Sequence, residues 1–366
     1  MTTEASGPLH GVRIVELAGI GPGPFAAMIL ADLGADVIRV DRAQPDDFLP
    51  PPGDLLRRSR PSVRLDLKSR PDVESVLDLI AGADALIEGF RPGVTERMGL
   101  GPDDCWKRNP RLVYGRMTGW GQTGPVAHTA GHDITYLALS GALHLIGREG
   151  QAPVMPANLL GDFGGGSLYL VVGILAALWE ARESGEGQVV DAAIVDGAAN
   201  LTTLLHGMRA LGEWSTQRGT NLIDGGRPWY DVYRTSDGEW MAVGALEERF
   251  FQEFCRLLPL DTDGSDREDP SCWPELRRKI AERFAQRTRS EWTELFAETD
   301  ACVQPVLSIA EAHENPHLKA RGTFVDVAGV MQPAPAPRFG RTPGRVRSAP
   351  GSSELTAQEA LTRWKR

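Results

Sequence analysis

The chain has 366 residues, 42% of them apolar, and a formal net charge of −10 from 39 basic and 49 acidic side chains. This length exceeds what one ordinary hydrophobic core organises, so we expect two domains. The acidic balance argues against nucleic acid as a partner. The four cysteines have no CxxC spacing, which argues against a disulfide frame or a thiolate zinc site and favours a reducing, cytoplasmic location.

Neither a secretory signal nor a membrane span is expected. The N-terminal MTTEASGP has no basic region followed by an apolar one. The longest apolar stretch, LYLVVGILAALW at 168–179, falls short of the roughly 20 residues that a helix needs to cross a bilayer.

The first part of the chain alternates strand and helix patterns. GVRIVEL (11–17) predicts a strand, AGIGPGP (18–24) a turn, FAAMILADLGA (25–35) a helix and DVIRVD (36–41) a second strand. The pattern continues with a helix and strand over 71–90, a strand over 111–121 and a further buried strand over 187–199. Such alternation predicts an α/β domain with a parallel, Rossmann-like sheet.

The pattern changes after this region. PWYDVYRTSDGEWMAVGAL (228–246) predicts a hairpin around Asp237-Gly238, because Asp-Gly favours tight β-turns. Amphipathic helices are predicted over 248–258, 273–287 and 290–300, with a strand over 302–308. We therefore predict a large α/β domain over 1–205 completed by 331–366, a linker over 206–227, and a small α+β domain over 228–330.

Two ligand-binding motifs are considered and rejected. GIGPGPFAAM (19–28) resembles a dinucleotide-binding turn, but its prolines, Pro22 and Pro24, lack the N–H groups that a pyrophosphate needs. We interpret it as a turn that opens a helix with proline in its first turn. His313 and His317 have a metal-ligand spacing, but Pro316 between them would break the helix, so we expect no metal.

Three acid–base residues have two interpretations each. His132 opens a helical run, either as a helix-start residue with Asp133 as the cap or as a functional base. Asp162, in NLLGDFGGG, is either an N-terminal cap or an acid whose pKa is raised by burial, which suits proton transfer. Glu247, at a strand-to-helix junction, either compensates the helix dipole or orients a histidine.

Basic residues concentrate in LLRRSRPSVRLDLKSR (55–70), which holds six arginines and lysines against one acid. On an acidic protein such a patch fits a small polyanionic ligand. A solvated basic face explains it equally well.

Many long motifs occur in an order that resembles one family. They include VELAGIGPGPFAAMILADLGADVIRVDR, EGFRPGVTERMGLGP, AGHDITYLALSG, NLLGDFGGG and DGGRPWYDVYRTSDGEWMAVGALE. Together they resemble the family III CoA-transferase (CaiB/BaiF-like) superfamily, and within it the racemases that act on 2-methylacyl-CoA thioesters. The resemblance implies an interlocked homodimer, with each active site between the large domain of one chain and the small domain of the other.

The resemblance also implies the site and the reaction. His132 and Asp162 would flank the α-carbon of the thioester, with Glu247 as the partner of the histidine. An acyl-CoA would be the substrate, with no separate cofactor. The implied CoA-binding residues are Arg42, Leu65, Asp66, Leu67, Lys68, Gly89, Phe90, Arg91, Gly131, Asp133, Ile134, Thr135 and Tyr136.

Two further expectations follow. Gly164–Gly166 would let backbone donors approach the thioester oxygen and stabilise an enolate. The alternative within the superfamily is a CoA-transferase, in which Asp162 would be the nucleophile that forms an acyl anhydride. That alternative leaves His132 and Glu247 without an evident task.

Overall fold

The computed structural model describes residues 7–42, 49, 53–260, 267 and 269–364. These residues form two compact units. The first comprises the described residues of 1–140, 156–201 and 316–366, and the second those of 141–155 and 202–315. Residues 316–330, which we predicted in the small domain, thus lie in the first unit, and 141–155 lie in the second. The N-terminal residues 1–6, considered above for a signal, are outside the described residues.

The first unit is built on a seven-stranded parallel sheet. Its strands are β1 (Arg13–Leu17), β2 (Asp36–Asp41), β3 (Ser62–Arg64), β4 (Ala85–Glu88), β5 (Val113–Thr118), β6 (Val189–Ala193) and β12 (Glu354–Leu355). Their order is β12-β3-β2-β1-β4-β5-β6. The chain therefore reverses its direction of winding beside β1, which is where open parallel sheets bind ligands.

The first unit contains nine α-helices in its described residues. They are α1 (Pro22–Asp32), α2 (Arg70–Ile80), α3 (Val94–Met98), α4 (Pro102–Arg108), α5 (Asp133–Ser140), α6 (Leu168–Ser184), α7 (Ile194–Leu201), α13 (Pro316–Arg321) and α14 (Ala357–Arg363). Among them, α1, α6, α7 and α14 contact the sheet. Alternate side chains of each strand point to opposite faces. Val15 and Ile38 accordingly belong to one buried cluster, whereas Ile14 and Val37 belong to the other. The same unit holds a two-stranded antiparallel sheet of β10 (Phe324–Val327) and β11 (Val330–Pro333).

The second unit is α+β, as predicted. Its sheet of β7 (Tyr230–Arg234), β8 (Trp240–Gly244) and β9 (Val303–Pro305) is antiparallel, and β7 and β8 form the hairpin expected around Asp237-Gly238. Its helices are α8 (Thr203–Ala210), α9 (Glu248–Leu257), α10 (Trp273–Phe284), α11 (Arg289–Phe296) and α12 (Ile309–Ala312). Stacked aromatic rings, including Phe254, Phe284 and Phe296, fill the core.

Three predicted elements differ from the structure. The strand expected over 187–199 ends at Ala193, and α7 follows at once. Part of the linker expected over 206–227 lies in α8. The helical run that contains α6 begins at Leu159, so 26 continuous residues to Ser184 are long and apolar enough, by length and composition, to cross a membrane. This run includes Asp162 and packs through Leu170 and Ile174 into a core cluster of the first unit.

Candidate active site

A cavity of about 460 Å³ opens at the carboxyl ends of the parallel strands. Its wall is formed by the segments that follow β1, β2, β4 and β5, because parallel strands bring their carboxyl ends to one edge. His132 and Asp162 both lie in this wall. The structure thus brings together, in one cavity, the two residues that the sequence singled out thirty positions apart.

Asp162 is carried by a π-helical segment, Leu159–Ser167, which continues into α6. The wider π turn is visible where the N–H of Phe163 donates to the carbonyl of Asn158 at 3.2 Å. Phe163 stacks on Phe25 of α1, with ring centroids 4.2 Å apart. Asp162 is therefore inside a helical run, and the interpretation of it as an N-terminal cap is wrong.

The environment of Asp162 favours the protonated form. Burial raises the pKa of its carboxyl to about 6, and the neighbouring Asp133 carboxylate adds to the rise, while His132 and Asn158 oppose it. Gly21, at the start of α1, lies against this carboxylate. The first turn of α1 contains Pro22 and Pro24, which have no N–H to donate, so it offers the anion little stabilisation.

His132 immediately precedes α5 and is exposed in the first unit. The backbone N–H of His132 donates to Thr135 Oγ1 at 3.0 Å, so the Thr135 side chain satisfies a backbone donor at the start of α5. Asp133 does not cap α5 as expected; its Oδ1 instead accepts the N–H of Asp162 at 2.7 Å. Asp133 therefore ties α5 to the π-helical segment and fixes the two acid–base residues relative to each other.

The implied CoA-binding residues divide into two groups. Arg42, Gly89, Phe90, Arg91, Gly131 and Tyr136 line the cavity. Leu65 is buried in a core cluster and Leu67 packs against it, while Lys68 is exposed and outside the cavity wall. Asp66 accepts the N–H of Lys68 at 3.0 Å, and Ile134 is 42% exposed. Asp133, Ile134 and Thr135 also lie outside the cavity wall.

Two of the three glycines that follow Phe163, Gly165 and Gly166, have a packing role. A Cβ on Gly165 would lie 2.7 Å from the N atom of Ala198, and one on Gly166 would lie 2.9 Å from Ile194 Cγ1. Both glycines therefore let the π-helical segment approach α7 closely. Gly164–Gly166 are absent from the cavity wall, so the expectation that they stabilise an enolate is not supported by their position.

Sequence reasoning missed a second carboxyl group in the wall, that of Glu88 at the end of β4. Burial raises the pKa of Glu88 to about 7. Two neighbours oppose this rise: the backbone N–H of Phe90, which donates to Glu88 at 2.7 Å, and the positive charge of Arg116. The sequence could have indicated Glu88, because it ends a predicted strand of the parallel sheet, and ligands bind beyond the carboxyl ends of such strands.

Glu247 lies in the second unit, at the position that precedes α9. The predicted strand-to-helix junction is therefore confirmed. Arg227, also in this unit, stacks over Trp273 at 4.1 Å from the ring centre and donates to the carbonyl of Thr220. Among the described residues, no group of three or more His, Cys, Asp or Glu side chains could hold a metal ion.

Comparison with known proteins agrees with this architecture. The model of CoA-transferase family III matches residues 9–354. The chain is 46% identical to the alpha-methylacyl-CoA racemase of Mus musculus over 339 residues and 44% identical to that of Homo sapiens over 342, each covering 92% of this chain and 87% of the relative. The crystal structure of a CAIB/BAIF family protein from Brucella suis superposes with a TM-score of 0.84 at 27% identity, covering 98% of this chain and 99% of that one. The chain therefore belongs to CoA-transferase family III.

Proposed function

We propose that the protein is a racemase that inverts the α-carbon of 2-methylacyl-CoA thioesters. The observation that carries this proposal is the presence of His132 and Asp162 in one cavity, with the pKa of Asp162 raised to about 6. The identity of 44–46% to two alpha-methylacyl-CoA racemases supports it.

The chemistry follows from the need to reach both faces of one carbon. One group removes the α-proton, the electron pair moves to the thioester oxygen, and a second group delivers a proton to the opposite face. The two groups exchange roles in the reverse reaction, so their proton affinities must be similar. A pKa of about 6 places Asp162 near the range in which histidines ordinarily titrate.

The decisive experiment uses each pure epimer of a 2-methylacyl-CoA in deuterated water. We expect NMR to report conversion of either epimer to a near-equal mixture, with deuterium entering the α position and without any added cofactor. Transfer of CoA to a free carboxylic acid, with no epimerisation, would favour the transferase alternative, in which Asp162 attacks the thioester.

For the CoA moiety, the proposal assigns Arg42 and Arg91, the two arginines of the cavity wall. A contact remote from the reacting carbon forms in the ground state and the transition state alike. Arg42→Ala should therefore raise KM more than it lowers kcat, and an unchanged KM would remove Arg42 from the site.

We also propose that the protein is a homodimer. Several apolar side chains of the first unit are exposed on its helices, and large exposed apolar patches mark interaction surfaces. They include Leu139 (64% exposed), Leu159 (66%), Val172 (65%) and Trp179 (69%). Sedimentation velocity should detect a dimer, whereas a fully active monomer would contradict the proposal.

We propose that Glu247 of the partner chain orients His132, as the family resemblance implies. A residue in this role does not transfer the proton. Glu247→Gln should therefore leave measurable racemisation and shift its pH profile. Racemisation with the wild-type pH profile in this variant would exclude the role.

A further inference from the structure

Tyr136 is a residue of the cavity wall whose ring is held tightly by its neighbours. It lies four residues after His132, and its backbone N–H donates to the carbonyl of His132 at 3.3 Å. Among the described residues, no hydrogen bond engages its hydroxyl group. A phenol placed in this way can donate to a bound molecule.

Three neighbours fix the orientation of the ring. Trp120 packs edge-on against it, with ring centroids 4.7 Å apart and an interplanar angle of 85°. A Cβ on Gly131 would lie 2.5 Å from Tyr136 Cε1, and one on Gly119 would overlap the ring and its hydroxyl. Both positions thus have to be glycine for the ring to lie where it does. Such a confined ring presents its hydroxyl at a fixed place in the cavity.

Tyr136 shares the cavity wall with His132, Asp162 and Arg91. Burial raises the pKa of Tyr136, Asp162 and Asp133 raise it further, and Arg91 opposes the rise. The phenol therefore remains a hydrogen-bond donor at neutral pH. Asp162 belongs to the proton-transfer pair and Arg91 to the proposed CoA contacts, and both line the cavity together with Tyr136. A donor in this wall is available to the thioester, the group that joins the acyl chain to CoA.

We propose that the Tyr136 hydroxyl donates a hydrogen bond to the thioester oxygen and stabilises the enolate. This inference rests on the proposed racemase function. When one base takes the α-proton, the C–H electron pair becomes the carbon–carbon π bond and the carbonyl π pair becomes the oxygen lone pair. The Tyr136 proton stays on its own oxygen throughout. The electrons then return to carbon, which takes a proton from the acid on the opposite face.

The test is Tyr136→Phe, which removes one oxygen atom from the cavity. Loss of a single oxyanion donor typically lowers kcat by about 10²–10³-fold. Because the bond strengthens as charge develops, we expect kcat to fall by about that factor with KM nearly unchanged. The rate of α-deuterium incorporation from deuterated water should fall in parallel.

Tyr169→Phe is the matched control. It removes the same atom from a tyrosine on α6 whose hydroxyl donates to Asn200 Oδ1 at 2.6 Å, outside the cavity wall. We expect its kcat to equal that of the wild type. If Tyr136→Phe also retains wild-type kcat while the wild type racemises, the proposal for Tyr136 is wrong and the racemase function stands. If the wild type itself fails to racemise, the proposed function is wrong.

A second variant guards against misfolding as the explanation. Gly119→Ala would displace the Tyr136 ring and should lower kcat when it is introduced into the otherwise wild-type protein. In the Tyr136→Phe background the same change should cost kcat much less, because no donor remains to be displaced. Equal losses in both backgrounds would indicate a general packing defect and contradict the assigned role.

Discussion

Carboxylates at two places in the first unit differ in the charged side chains that surround them. At the first place, Glu16 pairs with Arg39 at 2.7 Å and with Arg60 at 2.8 Å, while Asp41 pairs with Arg39 at 2.8 Å and with Arg57 at 2.7 Å. We call these five residues the ion-pair cluster.

Asp162, by contrast, makes no ion pair with an arginine or lysine among the residues that the structure describes. The charged side chain that raises the pKa of Asp162 is another carboxylate, Asp133. A buried charge without a counterion is unstable and takes up a proton more readily. The comparison teaches that the fold surrounds the carboxylates of the ion-pair cluster with arginines, whereas Asp162, whose pKa is raised, has no such partner among the described residues.

The largest expected effect comes from removing either proton-transfer group. His132→Ala and Asp162→Ala should each lower the rate of inversion by about 10²–10⁴-fold in both directions, because both directions use both groups. Each variant should still exchange the α-hydrogen of the one epimer that faces the remaining group. Deuterium incorporation into each pure epimer measures this.

His10→Ala, which alters a histidine outside the cavity wall, is the control and should racemise as the wild type does. Racemisation at the wild-type rate by His132→Ala would contradict the two-base mechanism. Asp162 would then have to be tested as a nucleophile.

The second prediction breaks the ion-pair cluster. Glu16→Gln leaves the buried guanidinium groups of Arg39 and Arg60 short of one negative charge. Removing one partner of a buried ion pair typically costs about 3–5 kcal/mol. We expect urea unfolding of the variant to shift to clearly lower concentration.

The matched control is Glu354→Gln, which removes the partner of Arg64 from an exposed pair, with side chains 45% and 56% exposed. Exposed pairs contribute about 0–1 kcal/mol, so its unfolding midpoint should barely change. Equal shifts in the two variants would mean that burial does not distinguish the pairs.

Sequence patterns predicted the elements around the site better than the contacts within it. The run from β1 through α1 to β2 is confirmed, because apolar strand and helix periodicities and the turn glycines all agree there. The pairing of β12 with β3 could not be predicted, because Glu354 and Ser62, which pair in the sheet, are far apart in the sequence.

The π-helical segment was also missed, for a different reason. Its glycines normally indicate a turn, and only the approach of α7 to Gly165 explains them. Because Asp162 lies in this segment, its helical setting could not be predicted, although its raised pKa in an apolar surrounding could.

The smallest expected effect is that of Asp162→Asn, which we compare with the same substitution at Asp41. The pKa of Asp162 is raised from 3.8 to about 6 in the folded protein, so its neutral form favours folding. That contribution is complete below pH 3.8 and is lost as the pH rises through 6. The Asn side chain of Asp162→Asn is neutral at every pH, so this variant should be more stable than the wild type at pH 8 and hardly different from it at pH 4.

Asp41→Asn makes the same chemical change in the ion-pair cluster and should act with the opposite sign at pH 8. There the carboxylate is paired with Arg39 and Arg57, and neutralising it leaves both guanidinium groups undercompensated. Urea unfolding of both variants at the two pH values measures the difference. If Asp162→Asn destabilises the protein at pH 8, the folded protein must stabilise the charged form of Asp162. The contrast between Asp162 and Asp41 would then fail, and so would the proton-transfer role that depends on it.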